Sequence, residues 1–220
     1  MSALIIADDH PLFRSALEQL FTQRFPDKAV VTVPDVAGLQ AAVDAHSEID
    51  AVLLDLHMPG AYGFSALCWI TGHKPETPVV IISANTLPET VRRALDHGAS
   101  AFLSKSADIE ALEDCVASVL AGARGLHPGL VPAQAGAELK ALDVAEALGS
   151  LTPSQFRVAS MLAEGLLNKQ IAYELDVKEA TIKAHMTEIF RKLGVQSRTQ
   201  AVLALATLSV EPGPDSSAVE

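Results

Sequence analysis

Cysteine is nearly absent from this 220-residue sequence, which carries only Cys68 and Cys115. Neither belongs to a CxxC pattern or has a histidine at ligand spacing, and each falls within a helix-like apolar pattern. A disulfide framework and a thiolate metal site are therefore excluded, and two reduced, partly buried thiols are expected. Long apolar runs are also missing. No stretch approaches the roughly 18 residues that a bilayer span requires, and the opening Met-Ser-Ala-Leu-Ile-Ile-Ala-Asp-Asp lacks a basic leader. The reading is a cytoplasmic protein without membrane contact. No GxSxG elbow, GxxxxGK[ST] loop, GxGxxG turn or HExxH helix occurs, which removes the enzyme classes built on those motifs. Positive charge is scarce as well: 16 Lys and Arg stand against 27 Asp and Glu, a net charge of −11. Spread evenly, that balance would oppose nucleic acid, because affinity for DNA rests largely on phosphate neutralisation. The distribution is uneven, at −8 over residues 1–125, −2 over 126–150, +2 over 151–210 and −3 over the last ten.

Apolar residues make up 49% of the chain, enough for packed cores in two small domains. Short aliphatic runs begin at Leu4 (LIIA), Val30 (VVTV), Ala51 (AVLLD), Val79 (VVIIS) and Ala101 (AFL). Stretches of helical periodicity separate them, such as Leu12, Phe13, Ala16, Leu17, Leu20 and Phe21. Nearly continuous apolar strands alternating with helices predict an α/β doubly wound, five-stranded parallel sheet over residues 1–122; in the flavodoxin-like strand order 2-1-3-4-5, strands one and three are neighbours. Residues 123–150 are rich in Gly, Pro and Ala and read as a linker, with a possible short helix at 138–148. No strand signal returns after Ser150. The pattern there predicts an all-α domain over 151–210, with four helices at about 153–164, 168–175, 179–193 and 199–208. The last ten residues, 211–220, are polar and Pro/Gly-rich and are expected to be disordered.

In a doubly wound sheet the chemistry sits at the carboxyl ends of the strands. Here those ends carry Asp8 and Asp9, Asp55, Ser83 and, just beyond the fifth strand, Lys105. Three converging carboxylates repel one another unless a cation sits among them, and an all-oxygen cluster suits a hard ion such as Mg²⁺. With such an ion and a lysine to neutralise phosphoryl oxygens, one carboxylate can act as the nucleophile in phosphoryl transfer. Asp55, on the middle strand of the cluster, is the natural nucleophile. Singly these residues have bland readings: an Asp pair after a strand is often a turn or cap, a lone lysine is usually solvated, and Phe102 is core by default. A phosphatase with an aspartate nucleophile is the rival chemistry. Such enzymes usually place a second acid two residues after the nucleophile, where this chain has His57.

The motifs ADDHPLFR (7–14), LLDLHMPG (53–60), IISA (81–84) and GASAFLSK (98–105) resemble those of the response-regulator receiver domain. The resemblance implies that Asp55 accepts phosphate from a sensor histidine kinase, and that Asp8, Asp9 and Asp55 bind Mg²⁺ with the main-chain carbonyl of His57. It further implies that Ser83 and Phe102 form the switch pair and that Lys105 contacts the phosphoryl group. The receiver would catalyse only its own phosphorylation and dephosphorylation.

In the third C-terminal helix Ile182, Met186, Ile189, Phe190 and Leu193 form an apolar stripe, while Lys183, Thr187 and Arg191 repeat every four residues on another face. A short helix, a tight turn and a cationic helix match a helix-turn-helix, although on pattern alone the stripe is equally a solvated face. Residues 151–202 resemble the LuxR-type DNA-binding domain, and together with the receiver motifs the chain is similar to the NarL/FixJ family. This implies base-reading positions at Lys183, Ala184 and Thr187 and phosphate contacts from Lys169, Thr181 and Arg191, with Lys178 as a further candidate. The apolar last helix would pair two domains, giving a homodimer on promoter DNA when phosphorylated. The family also implies that the receiver covers Lys183 and Thr187 until Asp55 is modified. Four positions depart from the family pattern: Gln155 and Gln170 replace Glu, and Leu167 and Lys178 replace Ser or Thr. Asn168 or Asp176 is expected to take over part of the lost capping. These departures keep an alternative open, a phosphorylation switch acting mainly through protein–protein contacts with weak DNA binding.

Overall fold

The structure is a computed structural model that describes residues 2–125 and 138–210, the side chains of 138–143 excepted. The Gly- and Pro-rich part of the expected linker, 126–137, and the expected disordered tail, 211–220, lie outside the described residues. Five parallel strands, β1 (Ala3–Ala7), β2 (Ala29–Val33), β3 (Ile49–Leu54), β4 (Val79–Ser83) and β5 (Ala101–Ser104), form one sheet in the order β2-β1-β3-β4-β5. Helices α1 (Pro11–Arg24), α2 (Val36–Ala45), α3 (Ser65–His73), α4 (Pro88–Asp96) and α5 (Ile109–Leu120) connect and cover it.

Successive strand residues point to opposite faces, so the apolar strands feed two separate cores. Ile5, Val52, Ile81 and Phe102 join Val43, Leu67, Trp69 and Val91 on one face, whereas Ile6, Leu53, Ile82 and Leu103 join Leu17, Phe21, Leu112 and Val116 on the other. β1 and β4 are buried along their whole length, as a sheet covered on both sides requires. Register then levels the strand ends: Ala7 pairs with Leu54, and Ser83 pairs with Ser104. Asp8, Asp55, Ser83 and Lys105 therefore emerge at one edge of the sheet.

The α6 helix (Glu138–Gly149) packs against α3 at very short range. A Cβ on Gly72 would lie 2.0 Å from the carbonyl oxygen of Ala145, and one on Gly149 would lie 2.3 Å from the carbonyl carbon of Gly72. Glycine at both positions is what lets the two backbones meet. Beyond α6, helices α7 (Pro153–Ala163), α8 (Asn168–Glu174), α9 (Glu179–Lys192) and α10 (Arg198–Ala206) enclose Phe156, Leu162, Ile171, Ile182, Met186, Ile189, Ala201 and Leu205. The α8–α9 turn places Asp176 at φ 50°, the one non-glycine residue with positive φ among the described residues. That geometry turns the chain sharply enough to set two short helices against each other. The core of the α3 face runs without interruption through Leu148 and Leu151 into these helices.

Candidate functional site

At the carboxyl edge of the sheet, Asp8 and Asp55 are each only 2% exposed. Lys105 Nζ lies 2.8 Å from Asp8 Oδ2 and 2.8 Å from Asp55 Oδ2, bridging the carboxylates carried by two neighbouring strands. The Phe13 ring, with its centroid 5.3 Å from Nζ, flanks the ammonium on another side. Burial alone would lower the Lys105 pKa, but the hydrogen bonds and charge attraction of Asp55 and Asp8 together outweigh it and raise the value, so the lysine is held charged. The main-chain N–H of His57 donates to Asp55 Oδ1 at 3.2 Å, and that of His10 donates to Asp8 Oδ1 at 2.8 Å.

His10 is a member of this cluster that the motif reading did not single out, although it stands directly after the aspartate pair. Its Nδ1 is 2.7 Å from Asp9 Oδ1, 3.1 Å from Lys105 Nζ and 4.0 Å from Asp55 Oδ2. Ligand atoms of Asp8, Asp9, His10 and Asp55 all lie within 4.8 Å of one another. Asp9 Oδ1 is shielded from solvent, and its close polar neighbour is His10 Nδ1 at 2.7 Å. A solvent-shielded carboxylate oxygen beside two further carboxylates fits a hard divalent cation.

Ser83 is fully buried at the end of β4, and its Oγ accepts a hydrogen bond from the Asn85 main chain at 3.1 Å. Asn85 Oδ1 in turn accepts from the N–H of Leu87, the residue that precedes the first turn of α4. Phe102, on the adjacent strand, is fully buried in the core of the α3 face.

In the C-terminal helices Lys169, Lys178, Thr181, Lys183, Ala184, Thr187 and Arg191 are all exposed. The expectation that the receiver covers Lys183 and Thr187 is thereby corrected: the receiver meets this domain through α6 and the end of α10, and the outer face of α9 stays open. Its positive charge is partly compensated within the helix, because Lys183 pairs with Glu179 at 3.0 Å and Arg191 with Glu188 at 2.9 Å. The four departures resolve individually. Gln155 completes a capping box with Thr152 and accepts a hydrogen bond from Lys192 at the end of α9, 2.8 Å away. Gln170 Oε1 accepts from the N–H of Leu167 at 2.8 Å, so half of the box on α8 survives, but Leu167 itself has no oxygen to offer. The first turn of α9, behind Lys178, likewise has no side-chain cap. Asn168 does not replace one, since its Oδ1 accepts from Arg198 instead.

Comparison with known proteins agrees with both halves of this architecture. Residues 4–117 match the family model described as response regulator receiver domain, and residues 149–205 match that of bacterial regulatory proteins, luxR family. The chain is 37% identical over 209 residues to the glycerol metabolism activator of Pseudomonas putida, covering 93% of this chain and 95% of the relative. It is 30% identical over 206 residues to the nitrate/nitrite response regulator protein NarL of Escherichia coli K12, covering 92% and 94% of the two chains. Among solved structures, the two-component response regulator RcsB in complex with DNA shares the fold at TM-score 0.54 and 22% identity, covering 94% of this chain and 99% of that one. A LuxR family DNA-binding response regulator from Silicibacter pomeroyi matches at TM-score 0.52 and 28% identity over 59% of this chain and all of its own. With a receiver fold, an acidic strand-edge cluster and a LuxR-type helix-turn-helix in one polypeptide, the chain belongs to the NarL/FixJ family of DNA-binding transcriptional response regulators.

Proposed function

We propose that Asp55 accepts a phosphoryl group from a sensor histidine kinase or a small phosphodonor, and that this modification controls binding of the C-terminal domain, as a homodimer, to promoter DNA in the cytoplasm. The observation that carries this reading is the Lys105 ammonium held 2.8 Å from both Asp8 and Asp55. It places a fixed positive charge where a phosphoryl group on Asp55 would lie. In the transfer, an Asp55 carboxylate oxygen forms a bond to phosphorus as the bond from phosphorus to the donor atom breaks, and the donor leaves with that electron pair. Lys105 exchanges a carboxylate oxygen for a phosphoryl oxygen, and the Ser83 hydroxyl turns from Asn85 to donate to another. Phe102, already inside the core, is the partner of that movement. Mg²⁺, held by Asp8, Asp9, Asp55 and the main-chain carbonyl of His57, would supply charge neutralisation for the remaining oxygens.

On the DNA side, α8 scaffolds and α9 enters the major groove, with Lys183, Ala184 and Thr187 reading bases and Lys169, Lys178, Thr181 and Arg191 meeting phosphates. The Pseudomonas putida relative's name supports activation as the outcome. A second reading, a switch acting mainly through protein contacts, draws on the Lys183–Glu179 and Arg191–Glu188 pairs, which reduce the free charge of α9. Intact mass and sedimentation after incubation with Mg²⁺ and acetyl phosphate test the proposal. The parent should gain one phosphoryl group and dimerise while Asp55→Ala does neither; an unmodified parent overturns it. Salt-dependent binding of the phosphorylated protein to a defined promoter fragment separates the two readings.

A further inference from the structure

His10 stands just before the first turn of α1, with Pro11 behind it, and its side chain makes no hydrogen bond to cap that helix. Its backbone is fixed instead: the N–H donates to Asp8 Oδ1 at 2.8 Å, and the carbonyl accepts from the N–H of Arg14 at 3.0 Å. The Arg14 guanidinium also donates to the carbonyl of Asp8. With the chain held in this way the imidazole folds back over the acidic cluster. Nδ1 lies 2.7 Å from Asp9 Oδ1, 3.2 Å from Asp8 Oδ1 and 3.1 Å from Lys105 Nζ.

These neighbours make opposite demands on one atom. Lys105 carries donors and no acceptor, so toward it Nδ1 must present a lone pair. The Asp9 carboxylate only accepts, so toward it Nδ1 must present a proton. A single ring nitrogen cannot do both. A bound cation removes the conflict, because it takes the lone pairs of Nδ1 and of the carboxylate oxygens together. The spacing suits such a role: two donors at right angles on an ion that each binds at roughly 2.1 Å lie about 3 Å apart. The separations of Nδ1 from Asp9 Oδ1 and Asp8 Oδ1, 2.7 and 3.2 Å, bracket that value.

We propose that His10 Nδ1 is a direct ligand of the divalent ion, so that this pocket binds a first-row transition ion more tightly than it binds Mg²⁺. The inference rests on the reading of Asp8, Asp9 and Asp55 as metal ligands, and it goes beyond that reading in the donor set and in the class of ion. Carboxylates and a main-chain carbonyl alone make an all-oxygen set, which suits a hard ion. An imidazole nitrogen changes the preference. Mg²⁺ favours oxygen and gives up its waters reluctantly, whereas Co²⁺, Ni²⁺ and Zn²⁺ accept imidazole readily. The His10 side chain is 63% exposed, against 3% for Asp8 and 2% for Asp55. The nitrogen therefore enters from the solvent side of the pocket, in place of one of the waters that Mg²⁺ would keep.

Titration calorimetry of the full-length chain with Co²⁺ and with Mg²⁺, each alone and without phosphodonor, compares the parent with His10→Ala. The ratio of the two affinities is the readout, since a change that merely disturbs the pocket weakens both ions alike. His10→Ala should lower the preference for Co²⁺ over Mg²⁺ about tenfold or more; an unchanged ratio overturns the proposal. Proton NMR of the Co²⁺-loaded parent should show a hyperfine-shifted imidazole N–H that is lost in His10→Ala. The chain has seven histidines, and a shifted signal that persists in the variant assigns Co²⁺ to another of them and overturns direct ligation by His10, as does the lack of any such signal. A parent that binds neither ion overturns the ligand reading of the three aspartates and this proposal together. A parent that binds both, with a ratio independent of His10, overturns the proposal alone.

Discussion

Asp55 and Lys105 meet at 2.8 Å although 50 residues of sequence separate them, and the same ammonium reaches Asp8 at an equal distance. The lysine therefore supplies counter-charge to the acidic cluster, a task that a bound divalent cation would share. Without it, Asp8 and Asp55, both nearly buried, would lose the ammonium that bridges their carboxylates.

Lys105→Met should consequently destabilise the metal-free protein by about 2 kcal/mol, below the range for a fully buried pair because the site opens to solvent on one side. Mg²⁺ should restore more stability to the variant than it adds to the parent, since the vacated carboxylates bind it more tightly. Thermal unfolding with and without Mg²⁺ measures this; an equal Mg²⁺ shift in both proteins contradicts it.

Gly72→Ala tests the α3–α6 contact with opposing effects. Within an isolated helix the change is favourable by up to about 1 kcal/mol, but here the added carbon would sit 2.0 Å from Ala145 O. The helices must separate, and overpacking of this kind costs about 1–3 kcal/mol, so net destabilisation is expected in denaturant unfolding. A stabilised variant would mean that α6 is not held against α3 in solution.

His97 should make stability depend on pH. Burial, then the neighbouring Arg93, holds its imidazole below the ordinary value of 6.5, with Asp96 opposing, and its Nδ1 is buried without a hydrogen-bond partner. The folded protein thus favours neutral His97, whereas the unfolded chain takes up the proton first as pH falls. Its contribution is fully present above pH 6.5 and is lost as the pH drops below that value. Urea unfolding at pH 8 and pH 5.5 should show a smaller loss in His97→Gln than in the parent.

For DNA, Lys183→Ala should weaken promoter binding by about 1–3 kcal/mol without changing stability, because the side chain is exposed and reads a base under the proposed docking. Glu179→Gln should strengthen binding, since it frees Lys183 from its 3.0 Å partner. Fluorescence anisotropy on a promoter fragment at two salt concentrations checks both. A Glu179→Gln variant that binds no better than the parent would show that the pair opens without cost on DNA.

Much of this is legible in the sequence alone. Alternating strand faces such as Ile5 and Ile6 make the sheet readable as short apolar runs, and strand-end chemistry at Asp8, Asp55, Ser83 and Lys105 follows once those runs are placed. Helical periodicity likewise located Ile182, Met186 and Ile189 as a buried stripe opposite Lys183 and Thr187. His10 escaped notice because nothing in a local pattern says that a ring following an aspartate pair folds back onto it. Asn168 does not cap its helix for a related reason: its oxygen is taken by Arg198, a partner from another helix.

The sequence by itself determined the two-domain character, the five strands and the identity of the acidic cluster, because these depend on short-range periodicity and on which residue types end each strand. Tertiary structure alone decided that Gly72 meets Gly149, that Phe64 and Arg93 hold the end of α10, and that the face of α9 remains open. Those contacts arise from the approach of backbones far apart in the chain, where a missing Cβ or a free carbonyl matters, and neither leaves a periodic trace in the order of residues.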